Sequence, residues 1–104
     1  MNNIKINDTA QILYEALKNR TVIAPLTDQY PDMSIEESYQ ISLALLDLRI
    51  ASGERVIGKK IGVTSKAVQD MLNVRQPDFG FLTDKMAYSS GETLPVSTEM
   101  IQPK

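Results

Sequence analysis

The most informative segment of the chain reads Val56-Ile57-Gly58-Lys59-Lys60-Ile61-Gly62-Val63-Thr64-Ser65-Lys66. Its apolar residues predict a strand over residues 55–63. Side chains alternate between the two faces of a strand, so Lys60 shares a face with Gly58 and Gly62, while Lys59 lies on the opposite, apolar face. Glycine leaves room for a ligand, so Lys60 is able to reach an anion or a developing enolate. The alternative is that the glycines mark a bulge and that both lysines lie in solvent.

The composition excludes several classes of protein. The chain has 104 residues, 42% of them hydrophobic, and a net charge of −2, which fits one small folded domain and argues against disorder and nucleic-acid binding. It has no cysteine and no histidine, so it holds no disulfide, no Ser-His-Asp triad and no His-ligated zinc. A metal would need oxygen ligands, which suits Mg²⁺ or Mn²⁺. The absence of a long apolar run predicts a soluble cytoplasmic protein.

Three helices are predicted from capping signals and apolar spacing. Asn7 or Asp8 caps the first, which runs to Asn19. The second begins at the capping box Ser34-x-x-Glu37 and runs to residue 51 or 52. Between them, residues 21–32 read as a connector because two prolines disfavour helix at the residues before them.

The third predicted helix covers residues 66–72, after a cap at Thr64 or Ser65. Residues 73–80 are predicted as a loop, with Asp78 partly buried beside Phe79. An Asx-turn that only closes this loop is the alternative role for Asp78. A hairpin turn is predicted at residues 89–92 and a further strand begins at residue 100.

Two motifs, Gly-Lys-Lys-Ile-Gly-Val-Thr-Ser-Lys-Ala-Val-Gln at 58–69 and Gln-Pro-Asp-Phe-Gly at 76–80, together resemble the 2-oxopent-4-enoate hydratases (2-hydroxypenta-2,4-dienoate hydratases). These enzymes belong to the fumarylacetoacetate-hydrolase-like superfamily. The likeness continues through residues 53–57, 81–84 and 101–104, and so covers nearly the whole chain. Family members are longer, and their Glu-x-Glu metal pair directly follows the segment that resembles residues 101–104. Residues 1–104 are therefore expected to be the N-terminal α+β domain of a hydratase, ending just before that pair.

The resemblance implies an α+β fold with three helices packed on a small mixed sheet. It implies a hydro-lyase that adds water to 2-hydroxypenta-2,4-dienoate, giving 4-hydroxy-2-oxopentanoate in the meta-cleavage catabolism of aromatic compounds. The implied cofactor is Mg²⁺ or Mn²⁺, with its ligands beyond Lys104 and none within the chain, so the chain alone is expected to be inactive. The implied partners are further copies of the chain and 4-oxalocrotonate decarboxylase; no membrane or nucleic acid is implied.

The resemblance also implies roles for individual residues. Lys60 supplies the ammonium that faces the developing enolate, and Asp78 carries the proton. Gly62, Thr64 and Ser65 contact the substrate, where a strand leading into a helix presents amides to an anion. Two alternatives remain: a 4-oxalocrotonate decarboxylase of the same superfamily, or a non-catalytic assembly module if the protein ends at Lys104. A Glu-x-Glu pair encoded after Lys104 would discriminate between enzyme and module.

Overall fold

Residues 5–96 are described by the structure, a computed structural model. They form two compact units, one made of residues 5–53 and 88–96 and the other of Glu54–Ala87. The regular elements of the described residues are helices and a two-stranded antiparallel sheet, which confirms the α+β class. Within that part of the chain the sheet contains no parallel pair, so the mixed sheet implied by the resemblance is not seen there.

The first unit is built on two helices, α1 (Ile6–Asn19) and α3 (Ile35–Ala51), which pack against each other. Ala10 of α1 and Ile41 of α3 are the buried apolar residues of these two helices. The predicted cap of α1 at Asn7 or Asp8 is wrong. The helix begins at Ile6, and Lys5 occupies the cap without a side-chain bond, so both residues lie in the first turn. Asp8 still favours the helix from there, through the helix dipole.

The start of α3 confirms the predicted capping box. The Glu37 amide donates to the Ser34 Oγ at 3.0 Å, and the Ser34 amide donates to the Glu37 Oε1 at 2.9 Å. Two amides that helix geometry leaves without a partner are thereby satisfied. The helix ends at Ala51, and Gly53 follows with φ of 110°, a backbone angle that glycine adopts readily.

A short helix, α2 (Leu26–Gln29), interrupts the segment that was predicted as a connector. The Asp28 amide donates to the Pro25 carbonyl at 3.0 Å, and the Tyr30 amide donates to the Leu26 carbonyl at 2.8 Å. A proline disfavours helix before it but has a φ that suits the start of a helix after it. The prediction counted only the first of these two effects.

The second unit contains β1 (Val56–Gly62), α4 (Lys66–Leu72), β2 (Asp78–Thr83) and a 3-10 turn at Asp84–Met86. The predicted strand 55–63 is confirmed to within one residue at each end, and the predicted helix 66–72 is confirmed. The predicted loop 73–80 is wrong for its last three residues, which begin β2. Their amides and carbonyls pair with β1, a tertiary contact that local turn residues do not reveal.

Polar groups close the sheet at the end where Val56 faces Thr83. The Thr83 side chain is fully buried, and its Oγ1 donates to the Glu54 Oε1 at 2.5 Å. The Arg55 amide donates to the Asp84 Oδ1, and the Asp84 amide donates to the Arg55 carbonyl, both at 2.9 Å. The pKa of the Asp84 carboxyl is lowered from its usual 3.8, chiefly by the hydrogen bond from the Arg55 amide, while desolvation opposes the shift.

The predicted hairpin near residue 90 is present only as a turn. The Glu92 amide donates to the Ser89 carbonyl at 3.0 Å, and the Ser89 amide donates to the Glu92 Oε1 at 2.8 Å. Neither residues 87–88 nor residues 93–94 form strands. The strand predicted from residue 100 lies outside the described residues. Among residues 5–96, no helix has the length and apolarity needed to cross a bilayer.

Candidate functional site

The pairing of β1 with β2 determines which residues share a face. A register shift between Val56 and Gly58 places a bulge at Ile57, and from Gly58 onward the pairing is regular. This bulge agrees with one part of the alternative interpretation, in which the glycines of the strand mark a bulge. Since directly opposed residues of an antiparallel pair lie on the same face, one face can be listed from the register. This glycine face carries Gly58, Lys60, Gly62, Asp78, Gly80 and Leu82.

Lys60 and Asp78, the two predicted catalytic residues, lie on the glycine face. Asp78 pairs with Gly62, and Lys60 is two residues before Gly62 on β1, so the two charged residues are diagonal neighbours. Diagonal neighbours in such a sheet are about 7–8 Å apart, within reach of a long side chain. Asp78 is exposed in the described chain, contrary to the expected partial burial.

The Lys60 side chain occupies space left by two glycines. Its Nζ is 3.6 Å from the point where a Cβ on Gly62 would lie, and its Cε is 3.7 Å from the corresponding point on Gly80. The space above Gly58 instead faces the Leu82 Cδ1, at 3.8 Å. The sequence predicted a gap between Gly58 and Gly62, whereas the gap lies between Gly62 and Gly80. Gly80 was missed because only the cross-strand register brings it beside Lys60.

Lys59 lies on the opposite face, as predicted. Its Nζ is 5.7 Å from the centroid of the Phe81 ring, the residue with which it pairs. This is a cation–π contact at the edge of the usual distance. Ile61 and Phe79 share that face. Both lysines are exposed in the described chain, so the two side chains differ in direction rather than in burial.

Val63, directly after β1, adopts a strained backbone conformation. Its φ of 55° lies in the left-handed region, which a β-branched residue rarely occupies. Such strain costs on the order of 1–3 kcal/mol and is concentrated at functional sites. The Gln69 Nε2 donates to the Val63 carbonyl at 3.0 Å, so α4 supports the turn. No residue pattern predicts this turn, because valine favours extended backbone.

Thr64 and Ser65 connect this turn to α4. The Ser65 Oγ accepts from the Val68 amide at 3.2 Å, which is the ordinary capping role. A hydroxyl that accepts one hydrogen bond can still donate its own hydrogen, so the cap is compatible with ligand contact. Thr64 is exposed. The structure thus places Lys60, Gly62 and Asp78 on one face, with Thr64 and Ser65 in the segment that follows it.

A cleft of about 310 Å³ lies beside α4, and neither Lys60 nor Asp78 lines it. Its lining consists of Lys66, Gln69, Asp70, Asn73, Val74 and Arg75. The glycine face is the candidate site on chemical grounds, because it carries both Lys60 and Asp78. Among residues 5–96, no three acidic, His or Cys residues are grouped closely enough to hold a metal ion. The described residues alone do not provide a metal centre.

Comparison with solved structures identifies the class of fold. The chain superposes with a TM-score of 0.74 and 27% identity on 4-oxalocrotonate decarboxylase from Pseudomonas putida G7, complexed with magnesium and adipate. The match covers 78% of this chain and 31% of the decarboxylase. A second structure of that enzyme, complexed with calcium and acetate, matches equally well. The fold is therefore that of a part of this decarboxylase. No protein-family model matches the chain.

Curated relatives identify the family. The chain is 56% identical over 104 residues to a 2-hydroxypent-2,4-dienoate hydratase of Pseudomonas putida, and 60% identical over 100 residues to a 2-hydroxyhexa-2,4-dienoate hydratase of Comamonas testosteroni. It is 45% identical over 97 residues to a 2-keto-4-pentenoate hydratase of Paraburkholderia xenovorans strain LB400. By sequence the chain is homologous to these hydratases along nearly its whole length. It spans 47%, 38% and 36% of their respective lengths.

Proposed function

We propose that the protein acts as a hydro-lyase that converts 2-hydroxypenta-2,4-dienoate and water to 4-hydroxy-2-oxopentanoate in the meta-cleavage catabolism of aromatic compounds. One observation carries the proposal. The chain is 56% identical to a hydratase of this substrate, and it carries Lys60 and Asp78 together on the glycine face. A cation beside a carboxylate suits a reaction in which negative charge develops on oxygen while protons move between oxygen and carbon.

The reaction has two steps with one type of intermediate. The 2-hydroxyl first loses its proton and C5 gains one, which gives a conjugated 2-oxo acid. Water then adds its oxygen to C4, and C3 gains a proton. Negative charge is delocalised onto the 2-oxygen in both steps, so one fixed cation serves both.

Lys60 is the proposed source of that cation. Its Nζ lies above Gly62, where no side chain separates it from a ligand on the glycine face. Asp78, opposite Gly62, is the proposed group that accepts and returns the proton. The diagonal placement puts the proposed cation and the proposed proton carrier at one end of the sheet, near enough to act on one small acid.

The substrate carboxylate is proposed to bind in the segment after β1. Thr64 and Ser65 bring two hydroxyl donors there, and Gly62 leaves the backbone open to close approach. Binding the carboxylate at this end would leave the rest of the dienoate lying along the glycine face. The hydroxyl pair therefore acts in binding and orientation, and the charged pair acts in the chemical steps.

A divalent cation, Mg²⁺ or Mn²⁺, is part of the proposal because the decarboxylase of the same fold is complexed with magnesium or with calcium. The described residues do not fit a metal centre by themselves, so its ligands would come from outside residues 5–96. Assembly of several copies, and of the hydratase with 4-oxalocrotonate decarboxylase, is also proposed. The exposure of Ile61 and Phe79, at 67% and 50%, is compatible with further contacts on that face.

A decarboxylase is the second candidate, because the structural match is to 4-oxalocrotonate decarboxylase. Sequence identity favours the hydratase, because the chain is 56% identical to the hydratase and 27% identical to the decarboxylase. The test uses the protein as its gene encodes it, purified and supplied with Mg²⁺ or Mn²⁺. We expect the ultraviolet absorbance of the dienol to fall and 4-hydroxy-2-oxopentanoate to form. Release of CO₂ from 4-oxalocrotonate without hydration would favour the decarboxylase. The absence of both reactions would favour the assembly module.

A further inference from the structure

We propose that Gln69 is a positioning residue that holds the Val63 turn and thereby sets where Thr64 and Ser65 meet the substrate carboxylate. This inference rests on the proposed function, and it adds a determinant of substrate binding that lies outside the catalytic pair. It follows from the backbone of Val63, from the hydrogen bonds of Gln69 and from the position of both relative to the glycine face.

The Val63 turn differs from the other left-handed positions in the described chain. Apart from glycines, positive φ occurs there only at Arg20, Val63 and Asn73. Arg20 and Asn73 follow the ends of α1 and α4, where a left-handed residue is the common way to end a helix. Val63 follows a strand and is β-branched, so its own preference is for extended backbone. Something outside the residue must hold it in this conformation.

Gln69 is placed to do so. Its Nε2 donates to the Val63 carbonyl at 3.0 Å, in a partly buried position. Its backbone is fixed on both sides, since its amide donates to the Ser65 carbonyl at 3.0 Å and its carbonyl accepts from the Val74 amide at 2.9 Å. The side chain therefore extends from a fixed point and holds the peptide group that joins Val63 to Thr64.

This peptide group lies between the two parts of the candidate site. Before it, Gly62 pairs with Asp78 on the glycine face; after it come the Thr64 and Ser65 hydroxyls. Without the hydrogen bond, Val63 is free to relax toward the extended region, which rotates the following residues away from the strand end. Lys60 and Asp78 are held by the sheet and keep their places. Loss of Gln69 should then weaken substrate binding more than it slows the chemical steps.

The test first removes the hydrogen-bond donor at Gln69 and then relieves the backbone strain at Val63. Gln69→Met keeps the length and helix propensity of the side chain but cannot donate. We expect KM for the dienoate to rise about tenfold with kcat within about threefold, the pattern of lost uniform binding. Val63→Gly in the same protein should restore KM, because glycine adopts this φ without penalty. Gln40→Met, at an exposed position of α3, is the matched control and should leave KM unchanged.

Three results would overturn the proposal: an unchanged KM in Gln69→Met, no recovery with Val63→Gly, or an equal effect of Gln40→Met. Amide hydrogen exchange separates this inference from the proposed function. If the unaltered protein does not consume the dienol, the proposed function fails. Faster exchange at Thr64, Ser65 and Val68 in Gln69→Met, reversed by Val63→Gly, would still support the positioning role, and unchanged exchange would refute it.

Discussion

Lys60 lies directly opposite Gly80 in the sheet, and its Cε is 3.7 Å from the point that a Cβ on residue 80 would occupy. The distance is that of ordinary van der Waals contact, so the lysine rests on the glycine rather than passing over open space. A glycine on the neighbouring strand therefore sets the path of the lysine side chain. The direction of this charge depends on two strands that are separated along the sequence.

Replacement of Lys60 tests the proposed cation. Lys60→Met should lower kcat by about 10²–10³-fold, as the loss of one donor to a developing oxyanion does. Lys59→Met removes the same charge from the adjacent position, but its side chain lies on the other face, beside Phe81, and should have a much smaller effect. Steady-state kinetics measure both, with folding checked by circular dichroism. A larger loss with Lys59→Met would mean that the site lies on the opposite face.

Substitutions at Gly80 test whether Lys60 requires the space that the absence of a side chain at this position leaves. Gly80→Ala places a Cβ in ordinary contact with Lys60 and should be tolerated. Gly80→Val adds two methyl groups that displace the lysine, and kcat should fall about tenfold from the misplacement. Valine favours strands, so the melting temperature should be retained. Gly58→Val serves as the control because its Cβ approaches Leu82 instead. Equal kcat in Gly80→Val and the unaltered protein would show that Lys60 does not need this space.

The capping box of α3 predicts a stability change in the first unit. Ser34→Ala removes the acceptor for the Glu37 amide and should lower the free energy of unfolding by about 1 kcal/mol. Ser38→Ala, within the same helix, removes only a hydroxyl that donates to the Ile35 carbonyl. Since alanine is the better helix former, that variant should be neutral or slightly more stable. Urea denaturation followed by circular dichroism compares the two, and an equal loss in both would contradict the capping assignment.

Asp84 predicts a pH dependence of stability in the second unit. Because the folded-state pKa of its carboxyl is lowered from 3.8, the unfolded state binds more protons in this range. The stabilisation of the folded state by the ionised Asp84 carboxylate is therefore present above pH 3.8, and it is lost as pH falls through the lower folded-state pKa. Asp84→Asn should be less stable than the unaltered protein at neutral pH, and the difference should shrink in acid. Urea unfolding at a series of pH values measures this, and a constant difference would exclude the ionised carboxylate as its source.

The elements that the sequence predicted correctly carry local signals. The α3 capping box, the Ser65 cap of α4 and the apolar run of β1 each lie within a few residues of the structure they specify. The features that were missed depend on distant residues or on compensated strain. The partner strand of β1 begins at Asp78, after a helix and a turn, and no pattern within β1 gives its register.

In the candidate site too, some features could be predicted from local sequence and others could not. The direction of Lys60 followed from alternation along one strand, and the structure agrees with it. The pairing of Lys60 with Gly80 required the second strand. The residues around Asp78 predicted a loop instead of a strand, and its role in the site was expected from the resemblance. The Val63 turn opposes the preference of its own residue, so a sequence-based prediction would favour the wrong backbone there.

The bulge at Ile57 has a consequence for how the chain can change in length during evolution. An added or lost residue before the bulge can be absorbed there, because the pairing is already irregular between Val56 and Gly58. The same change between Gly58 and Gly62 would exchange the faces of Lys59 and Lys60 and turn the Lys60 charge to the opposite side. Insertions and deletions among homologues should therefore accumulate before Ile57 and be absent from the five residues that follow it.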